Sequence, residues 1–411
     1  MTAPPLAPIH VTAWSATSAL GAGRAAQLAG VRDGRCALRP PCGVDFGYPP
    51  LAALPETVVG RVEGLETPLP ASFSRWDCRN NRLAWAALQP DGLLAAVRAA
   101  RERHGPARVA VVMGTSTASI AVTESAYRGL GAGEALDPAA LAPELQSVDS
   151  LTAFLQEALA LHGPGLTVST ACSSSAKVFC TAERLLRLGV ADAVLAGGVD
   201  SLCASTLFGF HALELVSARP CRPFDAARDG INIGEAAGFA LLERGTGPRQ
   251  LLGYGESSDA HHLSAPDPEG AGAERALDAA LARAQLAPSA IDHLQLHGTA
   301  TRLNDAVESH LLARRYTAAT TASSSKGMIG HTLGAAGVMG SAFCWLALET
   351  GDVPGTINTR EPDPALWPHV ALEPLRRDVA VAATHNFAFG GSNCVLVWAD
   401  GAASHHQSEG A

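Results

Sequence analysis

The stretch LTVSTACSSSAKVFCTAERLLRLGVADAVLAGG, residues 166–198, reads as a strand, a helix and a second strand. Its first five residues are β-rich, the segment from about Ser173 to Leu188 reads as a helix stopped by Gly189, and AVLAGG is an apolar run suited to a strand buried on both faces. Cys172 falls at the turn into the helix. A thiol there meets the positive end of the helix dipole and unpaired backbone amides. The dipole contributes roughly 0.3–2 kcal/mol, enough to lower a thiol pKa by about 1.5 at most. Placement alone leaves two readings open, an activated nucleophile or the small buried apolar residue that free cysteine usually is.

The same alternation extends in both directions. HVTAW, RVAVVMG and GFALLE flank this unit, and LLGYGE, IDHLQLHG, VAVAATHNF and CVLVWA form a second series after residue 250. Apolar strands separated by Gly- and Ala-rich helical stretches imply mixed sheets covered by helices on both faces. RGTGPRQ, residues 244–250, reads as a joint between two halves, although no sequence repeat relates them. GAASHHQSEGA, 401–411, reads as a polar tail.

Composition narrows the class. A chain of 411 residues with 47% hydrophobic residues can bury a sizeable core, and only 5% aromatics predicts one built from closely packed Ala, Leu, Val and Gly rather than from large rings. A formal charge of −9 argues against a general nucleic-acid binder. The nine cysteines show neither CxxC nor zinc-type spacing, so no metal site is expected and a reduced, cytoplasmic chain is. The opening MTAPPLAPIHVTAW lacks a basic region followed by a long apolar core, and no eighteen-residue apolar run occurs, so neither secretion nor a membrane span is expected.

Two further stretches hold a histidine in glycine- and threonine-rich backbone: LHGTATRLND, with His297, and SSKGMIGHTLGAAG, with Lys326 and His331. The adjacent glycines allow the backbone to approach a ligand closely. Either imidazole alone reads as structural; with a thiol at a helix start the three form a candidate reactive set.

STACSSSAK, CRPFDAARDGINIGEAAGFALLE, HGTATRLND, SSKGMIGHTLGAAG and NFAFGGSNCVL, in this order, resemble the successive signatures of β-ketoacyl acyl-carrier-protein synthases. The resemblance implies an α/β fold of the thiolase type, with halves 1–246 and 247–400 forming a five-layered α/β/α/β/α core. It implies that Cys172 carries an acyl group and that His297 and His331 donate hydrogen bonds to the malonyl thioester oxygen during decarboxylation. Lys326 and Glu308 match an ion-paired support around the histidines, and Asp305 a second acidic position. Thr299 and Thr301 match threonines that bind the phosphopantetheine arm. Phe389 matches a gate whose backbone amide joins that of Cys172 in an oxyanion hole. The family uses no cofactor of its own, the arm of the acyl carrier protein being substrate. Arg302 stands where the family commonly has proline. The segment after His331 reads as a buried small-residue helix whose dipole, with Lys326, should keep that imidazole neutral.

FSRWDCRNNRLAWAAL, residues 73–88, spaces Arg75, Arg79 and Arg82 along one face of an expected helix. That stripe fits docking of an acidic carrier protein, and equally a solvated face. This segment, MGTSTASIAVTE, GPGLTVSTACSSSAKV and CRPFDAARDGINIGEAAG resemble ketosynthases of bacterial aryl polyene pathways, whose partner is often a chain-length-factor homologue lacking the cysteine. A homodimer or such a heterodimer is therefore expected. The alternatives are a housekeeping fatty acid synthase, a thiolase, which the two-histidine pattern opposes and for whose late cysteine Cys394, in an expected strand after GGSN, is a poor candidate, or a non-catalytic chain-length factor, which Cys172 opposes.

Overall fold

Strands are buried on both faces here, so successive side chains report which layer lies on each side. In Ala193–Asp200, Val194 and Ala196 join one apolar cluster while Ala193, Leu195 and Val199 join another. In Ser392–Ala399, Cys394, Leu396 and Trp398 point into the first cluster, and Val395, Val397 and Ala399 into a third. Each fully buried Leu or Val contributes roughly 1.5–3 kcal/mol, which makes these registers hard to slip.

The structure, a computed structural model, describes residues 8–401 apart from 43–45, 47–53, 129, 131–132 and 136–141. Residues 402–411 of the expected tail lie outside the described residues. Ten principal strands fall into two series. The first comprises β1 (Ile9–Ser18), β2 (Val109–Gly114), β3 (Gly165–Val168), β4 (Ala193–Asp200) and β5 (Ala236–Arg244). The second comprises β6 (Gln250–Ser258), β7 (His293–Gln295), β8 (Thr321–Ser323), β9 (Val381–Ala388) and β10 (Ser392–Ala399).

Spatial order is β3-β2-β4-β5-β1 in the first series and β8-β7-β9-β10-β6 in the second. Adding five to each strand number converts one into the other. The pairing senses agree as well: β2 and β7 each pair in parallel with both neighbours, and the remaining pairs are antiparallel. The duplication expected without a sequence repeat is thus present in topology. One residue pair, His10 with Gln250, joins the series into a sheet of eleven strands that includes the short Gly21–Ala22.

Helices fill three layers. Leu83, Leu93 and Phe154, from α1 (Arg79–Leu88), α2 (Leu93–His104) and α3 (Ser150–Leu159), cover the outer face of the first series. Between the two series lie α4 (Ser174–Arg187) and α8 (Ala336–Thr350). Leu277 and Leu311, from α6 (Ala271–Ala284) and α7 (Arg302–Arg315), cover the outer face of the second, and α5 (Ala204–Ala212) lies near the site. This is the five-layered thiolase-type arrangement. A Cβ on Gly337 would lie 2.7 Å from that of Ala176, so small residues let α4 and α8 touch. The segment Leu333–Thr350 is apolar enough to cross a membrane, but it is the core helix of this central layer.

The core corrects the composition argument in one respect. Trp14, Trp345, Trp398 and Phe179 meet in the central layer with centroid separations of 5.1–5.8 Å, mostly edge-on or tilted. Aromatics are few, yet they are grouped rather than spread: this cluster lies where the two halves join, and Phe73, Trp85 and Phe154 form a second on the outer face of the first series.

Candidate active site

Cys172 stands immediately before Ser173, the N-cap of α4, and follows Ala171, whose φ of +49° is left-handed. Local hydroxyls hold this turn. Ser174 Oγ accepts from Thr170 N at 2.9 Å and donates to Ala171 O at 2.6 Å, while Ser173 Oγ donates to Thr170 O at 2.9 Å. The serines and threonines around the thiol are thus engaged in shaping the backbone, at a cost in left-handed strain of order 1–3 kcal/mol.

The thiol is less activated than its place in the sequence predicts. Burial, with a smaller push from the Asp200 charge, raises the Cys172 pKa to about 12, against the opposing pull of Lys326 and of the backbone amides of Phe389 and Cys172 itself. Helix-start stabilisation is real but small beside the desolvation of a thiol that is 6% exposed. The two amides that favour the thiolate are those the resemblance assigns to an oxyanion hole. Phe389 opens the turn Phe389–Gly391 after β9, and its ring lies 5.4 Å from that of Phe210 on α5.

Both imidazoles come from the second series. His297 follows β7, and Glu308 on α7 fixes its backbone by accepting from His297 N at 2.9 Å and Gly298 N at 2.7 Å. His331 precedes α8 and is anchored from the other half: its amide donates to Asn232 O at 2.7 Å, and its carbonyl accepts from Gly234 N at 3.0 Å. The rings are 5.4 Å apart and nearly perpendicular. Leu333 N donates to His331 Nδ1 at 3.2 Å, so the neutral ring carries its proton on Nε2. Burial, reinforced by Lys326, holds both pKa values well below the usual histidine range. His331 is neutral as expected, but desolvation leads rather than the helix dipole.

Lys326 corrects another expectation. Its Nζ donates to the carbonyl of His297, not to Glu308, and the two form no ion pair within 4 Å. Burial lowers the Lys326 pKa while the nearby Glu308 charge raises it. Glu308 Oε1 instead lies within hydrogen-bond distance of His385 Nδ1, at 3.1 Å. Asp305 is fully buried, accepts from Phe224 N at 2.9 Å and Ala300 N at 3.2 Å, and is pushed up to about 6 by desolvation. Thr301 caps α7, and its hydroxyl lies 2.9 Å from that of Thr299.

Cys172, His297, His331, Thr299, Thr301, Phe387 and Phe389 line one cavity of about 240 Å³. Arg302 lies exposed on its wall, at the first helical position of α7, where arginine fits as well as proline would. Cys394 does not reach the cavity: it is fully buried, its Sγ 3.7 Å from Cys180 Sγ in the central layer. Among the described residues no group of three or more His, Cys, Asp or Glu side chains could hold a metal ion.

The arginine stripe does not form. The helix begins only at Arg79, because Ala71–Trp76 is a separate 3-10 segment. Arg79 turns inward to the fully buried Glu235 at 2.5 Å, Arg82 pairs with Asp77, and Arg75, on the preceding segment, pairs with Glu157. Sequence spacing assumed one continuous helix; a buried carboxylate 156 residues away decides where Arg79 points. Two functional candidates escaped sequence reading for the same reason. His385 and Asp200 sit inside or beside apolar strand patterns, and their partners Glu308, Ser116 and Gly334 are remote in the chain.

Comparison with known proteins agrees with this geometry. The β-ketoacyl synthase N-terminal domain family matches residues 80–246 and the C-terminal domain family residues 250–360, together more than half of the chain. The 3-oxoacyl-[acyl-carrier-protein] synthase 2 of Rhizobium meliloti (strain 1021) is 38% identical over 260 residues, which span 58% of this chain and 61% of that relative. Among solved structures, the ketosynthase ApeO of Xenorhabdus doucetiae, in complex with its chain length factor ApeC, is 35% identical with a TM-score of 0.85, covering 97% of this chain and 100% of that one. The ishigamide ketosynthase/chain length factor is 28% identical with a TM-score of 0.84, covering 96% and 99%.

Proposed function

Because the chain belongs to the β-ketoacyl synthase family, we propose that it catalyses decarboxylative condensation of an acyl group with a malonyl group carried on acyl carrier protein, giving a 3-oxoacyl product two carbons longer. The observation that carries this reading is one cavity lined by a thiol at a helix start and two neutral imidazoles from the opposite half.

The chemistry follows from those groups. Cys172 sulfur attacks the carbonyl of an acyl thioester, whose developing oxyanion meets the amides of Cys172 and Phe389; the carrier thiol leaves with the proton that Cys172 loses. The acyl group is then held as a thioester on Cys172. A malonyl thioester enters, and the C–C bond to its carboxylate breaks, releasing carbon dioxide and leaving the electron pair on the enolate. His331, with its proton on Nε2, and His297 donate to the enolate oxygen. The enolate carbon attacks the Cys172 thioester, forming the new C–C bond and expelling the thiolate. Lys326 supports both steps, its charge favouring the thiolate and disfavouring imidazolium. Thr299 and Thr301, at the cavity wall, suit the amides of a phosphopantetheine arm, which is substrate rather than resident cofactor.

The finer reading is an aryl polyene or related polyene pathway in the cytoplasm, with a chain-length-factor homologue as partner. Likeness to two ketosynthases solved with chain length factors supports it. So does the free edge of the sheet at β3, where Gly165 and Leu166 are exposed and open to strand pairing between chains. Incubation with an acyl-loaded carrier protein followed by peptide mass spectrometry tests the central reading. An acyl adduct on Cys172 that is absent from Cys172→Ala is expected. A folded protein that stays unmodified overturns it.

A further inference from the structure

The stretch GTSTASI, residues 114–120, takes no part in the chemistry above, yet its polar groups converge on one buried carboxylate. Asp200, at the end of β4, is fully buried. It accepts from Thr115 Oγ1 at 2.6 Å, Ser116 Oγ at 2.5 Å and Thr117 Oγ1 at 2.8 Å, and from Ser116 N and Thr117 N at 3.0 Å. A sixth donor crosses from the other half: Gly334 N, at 2.6 Å. Ser116 Oγ lies 3.3 Å from the same amide. No cation pairs with Asp200 among the described residues, so uncharged donors alone satisfy the carboxylate. Such charge-assisted bonds are among the stronger ones available to a backbone amide.

Gly334 is three residues beyond His331. The residue between its amide and the histidine turn is Leu333, held at φ +52°, and Leu333 N is the donor that occupies His331 Nδ1. A Cβ on Gly334 would lie 2.6 Å from Asp200 Oδ2 and 2.6 Å from Ser116 N, so the carboxylate reaches this backbone only because glycine is there. A left-handed leucine needs an external restraint to persist.

We propose that Asp200 is a positioning residue for His331. By gripping Gly334 N it holds Leu333 left-handed, aims Leu333 N at Nδ1 and keeps the imidazole proton on Nε2, where it faces the enolate oxygen. The GTSTASI loop serves to hold Asp200 in that orientation. This rests on the condensing reading above. Asparagine at 200 keeps the shape but turns an NH2 group against donors, which releases Gly334.

Three measurements on purified protein test it: the His331 tautomer by long-range 1H–15N correlation with labelled histidine, malonyl thioester decarboxylation, and acylation of Cys172. Asp200→Asn is expected to mix the His331 tautomers and slow decarboxylation at least about tenfold, with Cys172 acylation not slowed, since the Asp200 charge opposes the thiolate. An unchanged tautomer with unchanged decarboxylation overturns the proposal, as does an equal loss of both half-reactions. If Asp200→Asn does not fold, Ser116→Ala carries the test: a selective two- to tenfold loss, about one weakened hydrogen bond, supports it, and an equal or absent loss overturns it. Wild-type protein that neither acylates nor decarboxylates refutes the function itself, while the tautomer measurement still judges the role of Asp200.

Discussion

The two halves share a strand order and a pairing pattern, but they place different chemistry at equivalent connections. The connection from β3 to α4 carries Cys172, and its counterpart from β8 to α8 carries His331. After β2 comes the hydroxyl loop that grips Asp200; after β7, in the same place, comes His297. All four lie beyond the carboxyl ends of parallel strands, where open α/β sheets form their crevices. A duplicated scaffold thus brings two sets of loops to one cavity, and in the proposed reaction one set supplies the nucleophile and the other the enolate donors. The half-reactions should therefore separate by half.

The sharpest way to break this comparison is Cys172→Ala. Condensation and acyl transfer should fall below detection, whereas malonyl decarboxylation should persist, because its hydrogen-bond donors come from the other half. Release of labelled carbon dioxide, read beside acyl adduct mass, measures both. If decarboxylation vanished with the thiol in a folded protein, the halves would not be chemically separable.

The reciprocal change is smaller. His331→Ala removes one donor to the enolate oxygen, and loss of such a donor costs about 2.7–4 kcal/mol, so decarboxylation should slow about a hundred- to a thousandfold. His297→Ala should fall in the same range. Acylation of Cys172 should survive both within about tenfold. A parallel collapse of acylation would assign the imidazoles to the thiol instead.

The asymmetry also explains what was legible in the sequence. Cys172, His297 and His331 sit in loops whose glycines and hydroxyls depart visibly from the strand and helix patterns around them, so they stand out as a candidate set, while their roles come from the family resemblance. The sheet order was hidden because Val194 and Val112 read alike wherever their strands pair. Charged groups were misread for a physical reason. A thiol's surroundings decide its pKa more than its helix does, and Arg79 and Lys326 extend to partners chosen by burial, Glu235 and the His297 carbonyl. Asp200 was invisible because five of its six bonds go to residues more than eighty positions earlier and the sixth to one 134 later.

The smallest expected effect is the response of stability to pH, and on its acid side it too divides by half. His293, pushed down to about 4 by burial, joins His297 and His331, so the buried imidazoles with depressed pKa values all belong to the second half. Folded, they stay neutral below pH 6.5; unfolded, each takes up a proton there. Their contribution is intact above about pH 6.5 and falls as pH drops, by up to about 1.4 kcal/mol per unit for each imidazole until its folded pKa is reached. Buried thiols and a phenol carry the opposite case, in both halves. Burial raises Cys78 to about 11 and Cys172, Cys203 and Cys221 to about 12 in the first, and it also raises Cys344 and Tyr316 of the second. These groups keep their protons when folded, so stability is intact below about pH 8.5 and is lost as pH rises toward 12. Urea midpoints should therefore decline on both sides of a plateau, and hydrogen exchange should show β7 to β9 opening first in acid, whereas alkali loosens both halves. Asp305, raised to about 6 by burial, offsets part of this loss between about pH 6 and 4, but one carboxyl does not balance three imidazoles; midpoints unchanged from pH 6.5 down to 5 would mean that the imidazoles are not buried neutral, and with that the second half would lose its claim to be the enolate-stabilising one.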